Sequence, residues 1–156
     1  MSRHLRYSFL LIFISLSALK TQAQEVHPIP KDTLVKLVEN YYALNLKIFQ
    51  ANSTVEDIDK VFNLFSPDFT YIHPKYGGLY SRQTLYNGYV RNQKNGGYDG
   101  SVVDIKVVNM IVGLNAVTTE KKFINKNEDG SISNGDLEMT LFEFKNGKIF
   151  KIFEYW

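Results

Sequence analysis

The chain has no cysteine among its 156 residues. This excludes a thiol nucleophile, a disulfide framework and any metal site built on cysteine. Histidine is nearly as scarce: of three, His4 lies in the N-terminal segment and His27 in a proline-punctuated stretch, which leaves His73. Transition-metal sites usually need three or four nitrogen, sulfur or oxygen ligands. We therefore predict no metal site and no cofactor.

Apolar residues run from Tyr7 to Leu19, behind the basic residues Arg3 and Arg6. Small residues follow up to Ala23. This order is typical of a secretory signal peptide, and the apolar core is shorter than the ~20 residues of a membrane-spanning helix. We predict cleavage after residue 23 and export to the periplasm or the medium, with no membrane association afterwards. An uncleaved membrane anchor is the alternative.

The chain lacks an excess of charge once this leader is set aside. Three of the 18 basic residues and none of the 16 acidic residues precede position 24, so the remainder carries 15 against 16, a net charge of −1. Recognition of nucleic acid needs a positively charged surface. The composition therefore argues against a nucleic-acid partner.

The remaining 133 residues are the size of one domain. We predict a mobile tail over 24–31 and a single domain over 32–156. Asp32 is the expected N-cap of a first helix with a periodic apolar stripe. Ser53 and Glu56 resemble a capping box for a second helix, which Pro67 is expected to end. Ser81 is the expected cap of a third helix reaching about residue 93.

Strand patterns dominate the rest of the sequence. A short strand is predicted over 69–73, and alternation predicts strands over 101–112, 117–124, 136–144 and 149–156. The dipeptide Asn146-Gly147 is a strong hairpin signal. Helices followed by a meander of antiparallel strands predict an α+β domain in which a curved sheet wraps around three N-terminal helices and leaves a cavity between the layers.

Three stretches carry a resemblance to a known superfamily. They are residues 64–71, LFSPDFTY; residues 78–82, GLYSR; and the ending NGKI followed by Ile152 and EYW. In this order the sequence resembles the nuclear transport factor 2-like (NTF2-like) superfamily, in its SnoaL-like and steroid-isomerase-like branch. The resemblance implies a cone-shaped, cystatin-like roll. It does not fix a function, because relatives include isomerases, dehydratases, cyclases, hydrolases and proteins without chemistry.

His73 is the first candidate catalytic residue. It stands at the end of the first predicted strand, one residue before Pro74, where steroid-isomerase-like relatives hold the carboxylate that moves the proton. Imidazole, with an ordinary pKa of about 6.5, can accept and donate a proton near neutrality. The alternative is a histidine that hydrogen-bonds a loop carbonyl.

Glu154 is the second candidate. Alternation along the last strand puts Phe150, Ile152, Glu154 and Trp156 on one face, which lines the pocket in similar proteins. A partly desolvated carboxylate there suits acid or base work. An exposed glutamate near the end of the chain is the alternative.

The resemblance also implies roles for Tyr41 and Thr140. Tyr41 matches the position of an oxyanion-binding tyrosine, although a buried helical tyrosine is as easily explained as core. Thr140 matches the position of a protonated acid and could donate only weakly. The remaining predicted ligand-binding residues are aromatic, and would suit a small apolar or aromatic molecule: Tyr71, Tyr76, Tyr80 and Trp156.

Two functions remain open at this stage. One is a cofactor-independent enzyme of isomerase, dehydratase or cyclase type, acting through His73, Glu154 and Tyr41. The other is a non-catalytic binding or assembly module. Leu137, Met139 and Leu141 face one side of a predicted strand whose other side is also apolar, so both sides need cover, which predicts a homodimer.

Overall fold

The computed structural model describes residues 28–156, and the predicted signal peptide and His27 lie outside them. The first helix, α1, spans Lys31–Ile48 and begins two residues earlier than predicted, with Pro30 rather than Asp32 at the N-cap position. Asp32 is therefore in the first turn, where a negative charge favours the helix. Ahead of the helix, the amide of Ile29 donates to Asn115 Oδ1 (2.7 Å).

The second helix, α2, spans Val55–Phe62 and differs from its prediction at both ends. Its capping box joins Thr54 and Asp57, one residue beyond the predicted pair, with the Thr54 amide donating to Asp57 Oδ2 (3.2 Å). It ends well before Pro67, which lies inside a strand at a register irregularity. Proline is tolerated there because an irregular ladder does not require its missing amide hydrogen.

The third helix, α3, spans Arg82–Lys94 and is capped by Ser81, as predicted. The strands are β1 (Phe65–His73), β2 (Gly78–Ser81), β3 (Val102–Val112), β4 (Ala116–Lys126), β5 (Ile132–Asn134), β6 (Glu138–Lys145) and β7 (Lys148–Glu154). A short 3₁₀ turn, Pro74–Tyr76, links β1 to β2. The sequence did not predict β2 and β5, which are too short for an alternating pattern to emerge.

The strands form one curved sheet in the order β2-β1-β7-β6-β4-β3, with β5 beside β4. The prediction of an antiparallel sheet needs one correction, because β1 runs parallel to β7. A parallel pair requires a long crossover, and here α3 and five intervening strands provide it. The β6–β7 hairpin turns at Asn146 and Gly147, both with positive φ (51° and 72°), which confirms the predicted turn.

The helices cover one face of this sheet, and the buried core lies between the two layers. Its largest fully buried side chains include Leu34 and Ile48 of α1, Phe62 of α2, Phe142 of β6 and Ile152 of β7. No helix within residues 28–156 is long and apolar enough to cross a membrane. The α+β cone predicted from the sequence is confirmed.

Candidate functional site

The register of β1 and β7 places His73 beside Glu154. Tyr71 is paired with Ile152 across the parallel ladder. Side chains two residues further along each strand return to the same face, so His73 and Glu154 are neighbours on the helix-covered face of the sheet. Both side chains are buried, with 2% and 4% of their surfaces exposed. The two leading candidates, which are 81 positions apart in the chain, therefore lie side by side.

Glu154 is held through a single carboxylate oxygen. Its Oε2 accepts hydrogen bonds from Thr140 Oγ1 (2.6 Å) and from the indole Nε1 of Trp156 (2.7 Å). Thr140 is the cross-strand partner of Glu154, which explains how β6 delivers this donor. Oε1 makes no hydrogen bond to any residue of 28–156. One oxygen is thus fixed by the protein and the other is left without a donor.

A buried lysine that the sequence analysis missed completes the charged part of the site. Lys121 Nζ lies 2.5 Å from Glu138 Oε2 and 3.8 Å from Glu154 Oε2. The amine also lies 4.8 Å from the ring centre of Phe123 and 5.0 Å from that of Trp156. Burial raises the pKa of Glu138, and the hydrogen bond from Lys121 opposes that rise. The primary ion pair of Lys121 is therefore with Glu138.

His73 is surrounded by aromatic rings. Its ring centre lies 4.5 Å from that of Trp156, 4.4 Å from Tyr76 and 6.1 Å from Tyr71. Neither ring nitrogen has a hydrogen-bond partner among residues 28–156. The alternative, an imidazole hydrogen-bonded to a loop carbonyl, is therefore not what the structure shows. Burial lowers the pKa of His73, although the negative charge of Glu154 opposes the shift, so the imidazole is neutral at pH 7.

Tyr41 is buried on the inner face of α1. Its ring packs edge-on against Tyr42 (5.3 Å between centres) and Phe142 (5.3 Å). Burial raises its pKa well above the ordinary value, and the nearby tyrosines and Glu154 add to the shift. The phenol is therefore neutral and retains its proton. Its hydroxyl makes no hydrogen bond to another described residue, and so it remains a donor available to a ligand.

Tyr42, which the sequence analysis did not select, has a different role from its neighbour. Its hydroxyl is hydrogen-bonded to Thr119 Oγ1 (2.7 Å). Thr119 is the cross-strand partner of Thr140, whose hydroxyl binds Glu154. Burial raises the pKa of Tyr42. A line of polar side chains thus crosses the inner face from β4 through β6 to β7.

The predicted aromatic ligand-binding residues lie at different depths. Tyr71 is half-buried beside its cross-strand partner Tyr80, with 6.1 Å between ring centres. The Tyr80 hydroxyl donates to the carbonyl of Tyr76, whose side chain is 56% exposed. Tyr76 and Trp156 both contact His73. An open cleft of about 450 Å³ is lined by Pro74, Lys75, Phe153, Glu154, Tyr155 and Trp156.

Phe150 does not lie where simple alternation predicts. The β6–β7 ladder is irregular here: Phe144 pairs with Ile149, whereas Glu143 pairs with Lys151. Phe150 is therefore the extra residue of a bulge. It is half-buried beneath the amines of Lys145 and Lys151, and Ile149 takes the core position instead. Beyond the bulge, Ile152 and Glu154 face inward as predicted.

No three histidine, aspartate or glutamate side chains converge within residues 28–156 in a way that could hold a metal ion. Glu138 and Glu154 share their site with an ammonium group rather than with a third acidic ligand.

The fold matches solved structures that are distant in sequence. An NTF2-like protein of unknown function from Cytophaga hutchinsonii is 12% identical, with 80% of this chain and 96% of that chain covered and a TM-score of 0.54. An LEH-like epoxide hydrolase from M. tuberculosis is 18% identical, covering 80% and 83%, with a TM-score of 0.56.

A third match is a protein with a ketosteroid isomerase-like fold from Catenulispora acidiphila, in complex with trimethylamine. It is 16% identical, with 78% and 85% of the two chains covered and a TM-score of 0.53. No protein-family model and no curated protein matches the sequence. The fold is therefore NTF2-like, as the resemblance implied. Identities this low show the fold alone.

Proposed function

We propose that this protein binds a small, largely apolar or aromatic molecule in the cone of its sheet and moves a proton on it without a cofactor. The observation that carries the proposal is the pair His73 and Glu154. They are buried side by side. Both imidazole nitrogens of His73 are buried without a hydrogen-bond partner among residues 28–156, and none of those residues donates to Oε1 of Glu154. Buried polar atoms are nearly always hydrogen-bonded, and exceptions concentrate at functional sites.

The arrangement suits proton abstraction next to a carbonyl group. The neutral imidazole of His73 would accept the proton from carbon, and the electron pair of the broken C–H bond would move onto the carbonyl oxygen. The Tyr41 hydroxyl, which retains its proton, would donate to that oxygen. Return of the proton to a different carbon gives an isomer, and loss of a β-substituent instead gives elimination.

Thr140 is not part of this chemistry. Its hydroxyl proton is already donated to Glu154 Oε2, so it is committed to orienting the carboxylate. Glu154 would then support His73 electrostatically, because its charge favours the imidazolium that forms when His73 accepts the proton. Thr140 and Trp156 are positioning residues for Glu154.

Hydrogen–deuterium exchange tests the reaction without knowledge of the substrate. The protein would be incubated in D₂O with a panel of cyclic ketones, enones and epoxides, and proton loss or ring opening followed by NMR. We expect turnover of at least one compound, which His73→Asn abolishes and Glu143→Gln leaves unchanged. Glu143 is a matched control because it pairs with Lys151 away from the site. Activity that survives His73→Asn would contradict the assignment.

The proposal includes export. The N-terminal pattern supports removal of residues 1–23, after which the protein would act in the periplasm or the medium. Mass spectrometry of the protein recovered from a secreting bacterial host gives the test. We expect an N-terminus at Gln24. A full-length chain retained in the membrane fraction would favour the anchor instead.

A non-catalytic, homodimeric binding module is the second candidate function, and one observation favours the dimer. Strand pairing aligns a row of residues across the outer face of the sheet: Leu79, Ile72, Phe153, Leu141, Thr118 and Ile111. Five of the six are apolar, and Leu79 and Ile111 are 68% and 65% exposed. Apolar faces of this kind mark interfaces.

Light scattering would test the dimer. We expect a mass of twice the protomer for the mature chain and a monomer for Leu141→Lys, because a charge in the middle of the row cannot be buried without a partner. Lys122→Ala, a change on the adjacent strand β4 outside this row, serves as the control. A monomeric wild-type protein at high concentration would remove the dimer from the proposal.

A further inference from the structure

The charges around Glu154 do not balance, and the imbalance indicates the kind of molecule that the site takes. The site contains two carboxylates, the half-buried Glu138 and the buried Glu154, and one ammonium group, that of the buried Lys121. Lys121 is much closer to Glu138 (2.5 Å) than to Glu154 (3.8 Å). The negative charge of Glu154 is therefore only partly compensated by the protein.

The other titratable groups near Glu154 do not supply the missing positive charge. Burial keeps His73 neutral by lowering its pKa, and burial raises the pKa values of Tyr41 and Tyr71, so these phenols are neutral too. Lys75 is solvent-exposed at the rim, with its amine 5.8 Å from the ring centre of Trp156. Water and salt screen a charge in that position.

The walls of the site would favour a cation over a neutral molecule. Trp156 and Tyr76 flank His73, and the electron-rich faces of such rings attract ammonium groups. Two lysines already use this property: Lys121 lies over Trp156 at 5.0 Å, and Lys75 lies over Tyr76 at 5.4 Å from the ring centre. The exposed faces of these rings would also take the apolar body of such a molecule.

Hydrogen bonding leads to the same requirement. Thr140 and Trp156 both donate to Oε2 of Glu154, and no residue of 28–156 donates to Oε1. Glu154 is also one of the residues that line the open cleft. A group that carries both a positive charge and N–H donors satisfies Oε1 and balances the charge together.

We infer that the ligand is an amine, bound as its ammonium ion to Glu154 Oε1, with an apolar or aromatic body packed against Trp156 in the open cleft. The inference rests on the proposed small-molecule site and narrows its ligand class. The inferred ligand class does not depend on the proposed reaction, because a primary or secondary ammonium group can anchor a molecule whose reacting carbon lies next to His73.

Three small probes of the same shape distinguish the charge from the body of the ligand. Benzylammonium, benzyl alcohol and benzoate would be titrated against residues 24–156 at neutral pH and low salt. Binding is followed through the fluorescence of Trp156, the only tryptophan of the chain. We expect benzylammonium to bind about tenfold or more tightly than benzyl alcohol, the effect of one charge-assisted hydrogen bond, and benzoate not to bind.

Variants of the two acidic residues complete the test. Glu154→Gln keeps an acceptor for Thr140 and Trp156 but removes the charge, and should bring benzylammonium down to the affinity of benzyl alcohol. Glu143→Gln should leave both affinities unchanged. Equal binding of the charged and neutral probes to the wild-type protein would overturn the inference and leave the small-molecule site standing. Tighter binding of benzoate than of benzylammonium would also overturn the inference of an amine ligand. If no probe binds at millimolar concentration, both the amine ligand and the small-molecule site are rejected.

Discussion

Replacement of His73 by leucine should make the protein more stable. The imidazole is 2% exposed, and both of its nitrogens lack a partner among residues 28–156. Leaving a buried polar group unsatisfied costs about 1–3 kcal/mol. Leucine has a similar volume and no polar atom, so His73→Leu recovers that cost while it retains contact with Trp156 and Tyr76. For a domain of this size, ~1 kcal/mol changes the melting temperature by roughly 3–6 °C.

The difference between the two proteins should grow in acid. Burial lowers the pKa of His73 in the folded state, so between about pH 6.5 and that lowered pKa the unfolded chain binds a proton that the folded protein does not. Wild-type stability therefore falls as the pH drops through this window, by up to ~1.4 kcal/mol per unit of pKa difference. The leucine variant lacks this contribution to the pH dependence of stability. The contributions of the other titrating groups are largely the same in both proteins.

Urea unfolding and thermal melts at pH 7.5 and pH 5.5 measure both effects. Phe69→Leu is the matched control: Phe69 lies on the same strand, is fully buried and carries no polar atom, so its replacement should only destabilise. A His73→Leu variant that melts below the wild type at both pH values would refute the reasoning. Such a result would mean that the imidazole nitrogens of His73 are hydrogen-bonded in solution and that the residue stabilises the fold.

Other substitutions test the buried network and the core. Lys121→Met should destabilise the fold by about 3–5 kcal/mol in urea unfolding, because it leaves Glu138 without a counter-ion, and the double variant with Glu138→Leu should recover much of the loss. Thr140→Val removes a hydrogen bond to a carboxylate and should lower the free energy of unfolding by about 1.5–3 kcal/mol. An unchanged free energy of unfolding in urea would contradict this prediction. Ile152→Ala should cost about 2–5 kcal/mol by the same assay, and a neutral result would contradict its burial in the core.

Long elements of the fold could be predicted because each carries its own pattern. The stripe of α1, the cap at Ser81 and the turn at Asn146 are local signals, and the structure confirms the helix, the cap and the hairpin. The parallel pairing of β1 with β7 could not be predicted in the same way. The pairing of β1 with β7 depends on the arrangement of the whole sheet, and the residues of β1 do not indicate which strand lies beside it.

The residues of the candidate site also differ in whether the sequence could predict them. His73 and Glu154 stood out because a single histidine before a proline and a single acid on an apolar strand face are visible in the sequence. The sequence analysis missed Lys121. The residues Val117, Thr119 and Lys121 alternate along β4, and this pattern could have predicted that the Lys121 side chain faces the core. Its partner Glu138 depends on the β4–β6 register, which the sequence does not reveal. Whether these residues catalyse a reaction stays a prediction.

The parallel contact between β1 and β7 also sets the order in which the protein can assemble. Phe65 pairs with Ile149, so this ladder joins positions separated by most of the domain. Local hairpins such as β3–β4 and β6–β7 can close early, but bringing distant segments together carries a larger loss of chain entropy and slows folding. His73 and Glu154 meet only across that late contact. A chain still emerging from the ribosome would therefore hold His73 and Glu154 apart until its last strand is in place.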